Sequence, residues 1–175
     1  MTTQPTAVAV QVTPQDALTD EPLAIRLTGI KPGEQVKLRT STGHGFSAEA
    51  TFEADANGVI DTSQQASISG SYSGVDSMGL IWSMAYHDPD NFQLSQASAS
   101  PDLPLEIQLT ASVESQTVAE ATIIRRLMAE GVTRHEIAEE GLHGVLYMPP
   151  DADAPHPALI VLTGSGGGAA EPRAA

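Results

Sequence analysis

A chain of 175 residues has room for one full domain and the beginning of a second. Its net charge of −14, with eight Lys and Arg against 22 Asp and Glu, argues against nucleic acid or an anionic membrane surface as partner. With no Cys in the sequence, disulfides, thiolate metal sites and a cysteine nucleophile are excluded. No apolar run approaches the length of a membrane span, and MTTQPTAVAV has neither the basic start nor the apolar centre of a secretory signal. A cytoplasmic protein is therefore expected.

In chain order, Val8, Val10 and Val12 alternate with Ala9 and Gln11, the period of a half-buried strand. Pro14 to Asp20 reads as a loop. Leu23, Ile25 and Leu27 then give a second strand, and KPGE (31–34) is a strong turn signal. Val36, Leu38 and Thr40 define a third strand. Ala48 to Ala54 returns alongside it, and DANG (55–58) supplies hairpin chemistry before a short strand at Val59 to Asp61.

The Ser- and Gln-rich passage 62–77 reads as a long loop holding GSYSG. MGLIWSMAY (78–86) is expected as a strong strand with Trp82 buried in the core, so that Trp82→Ala would cost about 3–5 kcal/mol. Leu105, Ile107, Leu109 and Ala111 alternate as another strand. For 117–130, helix-favouring and strand-favouring residues compete, and a β context favours a final strand from Ala121 to Met128. Repeated short strands between turns indicate a mainly β chain folded as an antiparallel β-sandwich.

After Gly131 a different pattern begins. Arg134 to Glu139 and Leu142 to Met148 read as two strands paired across Glu140-Gly141. A Pro-marked turn leads to Ala158–Leu162, which is apolar at every position, as in a strand covered on both faces. It breaks into TGSGGG (163–168), a loop whose backbone N–H groups could face a ligand or a reacting oxygen. Such a strand needs neighbours and covering helices, so this part resembles the opening of a larger α/β domain.

Several blocks then combine in a fixed order: TDEPLAIRLTGI, GSYSGVDSMGLIWSM, GVTRHEI with GLHGVLYMPP, and PALIVLTGSGGGAAEPRAA. In these the chain resembles the acyl-CoA thioesterase and bile acid-CoA:amino acid N-acyltransferase family over nearly its whole length. The resemblance implies an immunoglobulin-like sandwich over residues 7–130. Residues 132–175 would be the truncated start of an α/β-hydrolase domain. It also implies that acyl-CoA is a substrate only of the intact protein, that the sandwich packs on the hydrolase domain, and that the catalytic Ser or Cys, Asp and His lie beyond Ala175. The chain itself would then be catalytically incompetent. The alternative is a non-enzymatic β-sandwich interaction module with a vestigial tail.

The chemical motifs agree with that expectation. GSYSG has the glycines of a nucleophile elbow but Tyr72 at the nucleophile position, so packing against the sandwich is its plainer role. Ser165 also misses the elbow pattern and has no base near it in sequence. By the family resemblance, the loop after the third hydrolase strand supplies one oxyanion-hole N–H, which makes Gly164, Ser165 and Gly166 candidate donors. The same loop matches G-x-G-x-x-A, yet no βαβ unit or acidic residue about twenty positions on supports a dinucleotide, and no cofactor is expected.

No metal is expected either. HEIAE (135–139) lacks the second His of a zinc helix, and His87, Asp88 and Asp90 surround a Pro rather than the Gly of a calcium loop. His44, His143 and His156 adjoin Gly or Pro and read as surface residues. Arg125 and Arg126 are expected to pair with the abundant carboxylates rather than meet an anion.

Overall fold

A computed structural model describes residues 7–43, 45–86, 103–150 and 155–162. Its strands are β1 (Ala9–Thr13), β2 (Asp16–Leu18), β3 (Ala24–Thr28), β4 (Gln35–Thr42), β5 (Phe46–Glu53), β6 (Ile60–Asp61) and β7 (Ser69–Gly70). A single turn of helix, α1 (Gly79–Trp82), precedes β8 (Ala85–Tyr86), β9 (Leu105–Val113), β10 (Gln116–Arg126), β11 (Thr133–Glu139) and β12 (Leu142–Met148). The described residues up to Tyr86, with Leu105–Arg125, form one compact unit, and Leu103, Pro104 and those from Arg126 onward fall in a second.

The first unit is mainly β, with two antiparallel sheets. One runs β1-β3-β6; the other runs β2-β10-β9-β4-β5-β7, with β8 also paired to β5. Alternation decides which side chains turn inward. Ile25 and Leu27 of β3 are buried while Arg26 between them is exposed, and Val36, Leu38 and Thr40 of β4 are buried between exposed Lys37 and Arg39. Registers stack these positions: Leu38 lies opposite Ala50 and Ala111, Val36 opposite Phe52, and Leu27 opposite Ile60. Both sheets contribute to one buried cluster that includes Ile25, Leu27, Ile60, Leu38, Phe52 and Ile123. At roughly 25 cal/mol per Å² of apolar area removed from water, this shared core is the main force holding the sheets together.

The turns are equally specific. Asp55 Oδ1 accepts the N–H groups of Asn57 and Val59 at 2.8 and 2.9 Å. These bonds, that of Val59 foremost, hold its carboxyl below the usual carboxylate range. Gly58 has φ +71°, and a Cβ there would collide with the Ile30 carbonyl oxygen, so this turn requires glycine twice over.

Three expectations are corrected. The loop expected at Pro14 to Asp20 contains β2, which pairs with β10; Gln15 accepts the Ile124 N–H at 2.8 Å. The strand expected over Met78 to Tyr86 is instead α1 followed by the two-residue β8. Asp76 Oδ1 takes the Met78 N–H at 2.8 Å, and the Trp82 N–H then reaches the Met78 carbonyl at 3.1 Å. The Asp76 bond forms a side-chain turn just ahead of α1, whose own N-cap, Met78, has no side-chain cap. Trp82 is consequently not a core residue: it is 63% exposed.

In the second unit, β11 and β12 pair in full register from Thr133 opposite Met148 to Glu139 opposite Leu142, as the sequence predicts. The third correction lies just beyond. Ala158–Leu162 forms no strand, and Leu159 is 85% exposed. A strand exists only through hydrogen bonds to a neighbour, and no described segment pairs with this one.

Candidate functional site

The oxyanion-hole candidates Gly164, Ser165 and Gly166 lie outside the described residues, as do His44, His87, Asp88 and Asp90. The other motif residues are in view. His135 and Glu136 sit on β11. His135 Nε2 lies 3.0 Å from the Thr133 hydroxyl, and Glu136 pairs with Arg134 at 3.0 Å. His143 is exposed on β12, where its partner in register is Ala138. Among the described residues no three His, Asp or Glu side chains gather closely enough to hold a metal ion. No described helix is long and apolar enough to cross a membrane.

The structure instead concentrates polar and aromatic groups around GSYSG and α1. Ser71 is tied to β5 twice: its N–H donates to the Glu49 carbonyl at 2.7 Å, and its hydroxyl accepts the Glu49 N–H at 3.0 Å. That anchor turns Tyr72 inward, where it is only 7% exposed. Gly79 lies so close above the Tyr72 ring that a Cβ would overlap it, which explains a glycine inside α1. Thr40 of β4 donates its buried hydroxyl to the Leu80 carbonyl at 2.6 Å and fixes α1 to the large sheet.

Burial, reinforced by the Asp76 charge, pushes the Tyr72 phenol up to about 12, and its oxygen has no hydrogen-bond partner. A phenol so reluctant to ionise is a poor nucleophile or base, so the central residue of GSYSG is a packing residue. Arg125 is 1% exposed. Its Nη1 donates to the Leu18 carbonyl at 3.2 Å and its Nη2 reaches the Met78 sulfur at 3.7 Å, while Nε has no partner. The expected ion pair is therefore not made: among the described residues no carboxylate lies within ion-pair distance of Arg125. Burial pushes its pKa down, opposed by the charge of Glu21.

On the outer side of this cluster sequence reasoning missed the main feature. Trp82, Val75 and Ile68 are each more than half exposed, and Trp82 Nε1 donates to Asp76 Oδ2 at 2.8 Å. The tilted Trp82 and Tyr72 rings lie 6.4 Å apart. The detectable signal was Asp76 six residues before Trp82, with Asp76-Ser77 opening the apolar run.

What the described residues define is thus a mainly β unit whose most chemically diverse cluster serves packing. Residues 20–139 match the acyl-CoA thioester hydrolase/BAAT N-terminal region, and the chain belongs to that family. It is 34% identical over 164 residues to acyl-coenzyme A thioesterase 5 of Mus musculus, covering 89% of this chain and 38% of the mouse protein. To acyl-coenzyme A thioesterase 2, mitochondrial, of Rattus norvegicus it is 34% identical over 162 residues, covering 89% and 35%. To bile acid-CoA:amino acid N-acyltransferase of Mus musculus it is 33% identical over 176 residues, covering 92% and 41%. The chain therefore spans less than half the length of these relatives. The solved structure of macromomycin aligns with 69% of this chain and 98% of its own at 16% identity and a TM-score of 0.35, too slight a likeness to bear on the fold.

Proposed function

We propose that this chain is the N-terminal, non-catalytic part of a cytoplasmic acyl-CoA thioesterase-type hydrolase. Residues 7–130 are an immunoglobulin-like sandwich that packs on the hydrolase domain, and residues 132–175 are the first strands of that domain. In the intact protein water replaces the CoA sulfur on the acyl carbon: the C–S bond breaks, a C–O bond forms, and fatty acid and CoA leave. Gly164, Ser165 and Gly166 contribute backbone N–H groups to the oxyanion hole, and acyl-CoA binds only when the rest of the hydrolase domain is present.

The observation that carries this reading is the match of residues 20–139 to the N-terminal region of the family, in a chain that spans 38% of its mouse relative. The chemistry of the described residues supports it. Thioester hydrolysis needs an activated nucleophile, a base oriented by a third group, and donors facing the developing oxyanion. The hydroxyl–imidazole contact of Thr133 and His135 is exposed on the β11–β12 hairpin, and neither residue is described with a carboxylate to orient it. A net charge of −14 also repels the phosphates of coenzyme A.

Thiol release from palmitoyl-CoA by the purified chain tests the proposal. No turnover above the uncatalysed rate is expected. Turnover that disappears in Ser165→Ala would make Ser165 a nucleophile and overturn the non-catalytic reading.

A further inference from the structure

Among the described residues Arg125 is the one charged side chain that is fully buried, at 1% exposure. From β10 it reaches two other elements. Nη1 donates to the carbonyl of Leu18 at the end of β2, at 3.2 Å, and Nη2 lies 3.7 Å from Met78 Sδ at the head of α1. A guanidinium presents more N–H donors than any other side chain, and a buried charge is tolerated only where good acceptors meet it. The thioether sulfur is a weak acceptor, and Nε has no partner. The contact that ties β10 to α1 therefore sets the molecule's most demanding buried donor on one of its poorest acceptors.

Met78 itself is held firmly. Its N–H donates to Asp76 Oδ1 at 2.8 Å, and its carbonyl accepts the N–H groups of Ile81 and Trp82 at 2.8 and 3.1 Å. The side chain packs against the core but is only half-buried, so a small solute can reach it.

We propose that Met78 is a reversible oxidation site, at which a peroxide converts the thioether to a sulfoxide whose oxygen becomes an acceptor for Arg125. The sulfur lone pair attacks one peroxide oxygen, an S–O bond forms and the O–O bond breaks. The proton on the transferred oxygen passes to the departing one, which leaves as water. Sulfur is oxidised by two electrons and the peroxide is reduced. A sulfoxide inside a protein ordinarily disrupts packing, because an apolar group has become polar. At this position the new oxygen forms beside a cation short of acceptors, and hydrogen bonds with an ionised partner are the stronger kind. Oxidation thus tightens the tie between α1 and β10, and a methionine sulfoxide reductase specific for the epimer formed would release it. The site lies wholly within the first unit and is independent of the hydrolase chemistry proposed above.

Peroxide treatment of the folded chain carrying Met84→Leu, Met128→Leu and Met148→Leu tests the proposal. Peptide mass mapping should find one added oxygen on Met78, and the urea midpoint of the oxidised chain should equal or exceed that of the untreated chain. With Arg125→Leu added, the same oxidation should lower the midpoint, because the sulfoxide then faces an apolar side chain. A midpoint that falls while Arg125 is present, or that does not fall when it is absent, would overturn the inference. So would Met78 left unoxidised by peroxide that oxidises it fully in urea. If circular dichroism shows that Arg125→Leu does not fold, exchange of the Arg125 side-chain N–H groups decides instead. In a chain with isotope-labelled arginine, oxidation should slow that exchange by about tenfold or more, as expected for a new hydrogen bond to a charged group. An unchanged rate would overturn the inference.

Discussion

Two buried polar side chains, Tyr72 and Arg125, set the behaviour of the molecule at the scale of the residue. The Tyr72 hydroxyl is buried without a partner, and its pKa is pushed up to about 12 by burial and then by Asp76. The folded state therefore holds this proton more tightly than the unfolded chain, whose phenol titrates near 10.0. The stabilisation is complete below pH 10 and is lost as the pH rises towards 12, at roughly 1 kcal/mol per pH unit. Urea unfolding across this window should show that slope in the parent and a flatter one in Tyr72→Phe, which should be no less stable at neutral pH. An unchanged slope in the variant would assign the alkaline limb elsewhere. Arg125 is a buried guanidinium whose partners are a carbonyl and a thioether rather than a carboxylate. Its desolvation is incompletely repaid, so Arg125→Met should cost no more than about 1 kcal/mol, whereas Arg125→Ala opens a void and should cost about 3 kcal/mol. Equal losses in denaturant titrations would mean that the bond to Leu18 outweighs the desolvation.

At the scale of the element, legibility followed periodicity. Strands β1, β3, β4, β5 and β9 were readable because inward and outward residues alternate, and Glu140-Gly141 marked the β11–β12 turn. The ambiguous stretch after Thr117 is β10, longer at its start than expected, because pairing with β9 from Gln116 onward outweighs the local helix preference of Ala, Glu and Arg. MGLIWSMAY misled because a continuous apolar run has no period of its own to separate strand from helix. The deciding contacts are the local bond from the Met78 N–H to Asp76, a signal in the sequence, and the packing of Gly79 over the Tyr72 ring, which the sequence does not disclose. The same error placed Trp82 in the core. With Trp82 63% exposed, Trp82→Ala should cost about 1 kcal/mol or less, and the sole tryptophan should emit as a solvated indole. A loss near 3 kcal/mol would restore the core assignment. Ala158–Leu162 failed as a strand for the opposite reason, since its composition suits a strand and no described segment pairs with it. Of the candidate site, the sequence made legible the absence of a serine elbow and the packing role of Tyr72. It did not disclose the exposure of Trp82, because exposure depends on which segments cover one another.

At the scale of the whole molecule, the two units differ in how completely they bury their apolar residues. The first closes two sheets on a shared core whose central side chains are fully buried. The second offers a two-stranded hairpin with Leu142 and Leu146 exposed, followed by Leu159, Ile160 and Leu162 almost fully exposed. An isolated two-stranded hairpin is marginal in water, and exposed apolar strand-forming sequence invites association. The β unit up to β10 should therefore hold its fold on its own, whereas the segment after it, with its apolar side chains exposed, should open first. Limited proteolysis with mass mapping tests it most directly. The account predicts that cleavage begins after Arg126, first in 155–162, and leaves a resistant fragment that spans β1 to β10 and still unfolds cooperatively. Early cleavage within β4 or β5, or resistance extending unbroken through Leu162, would contradict it.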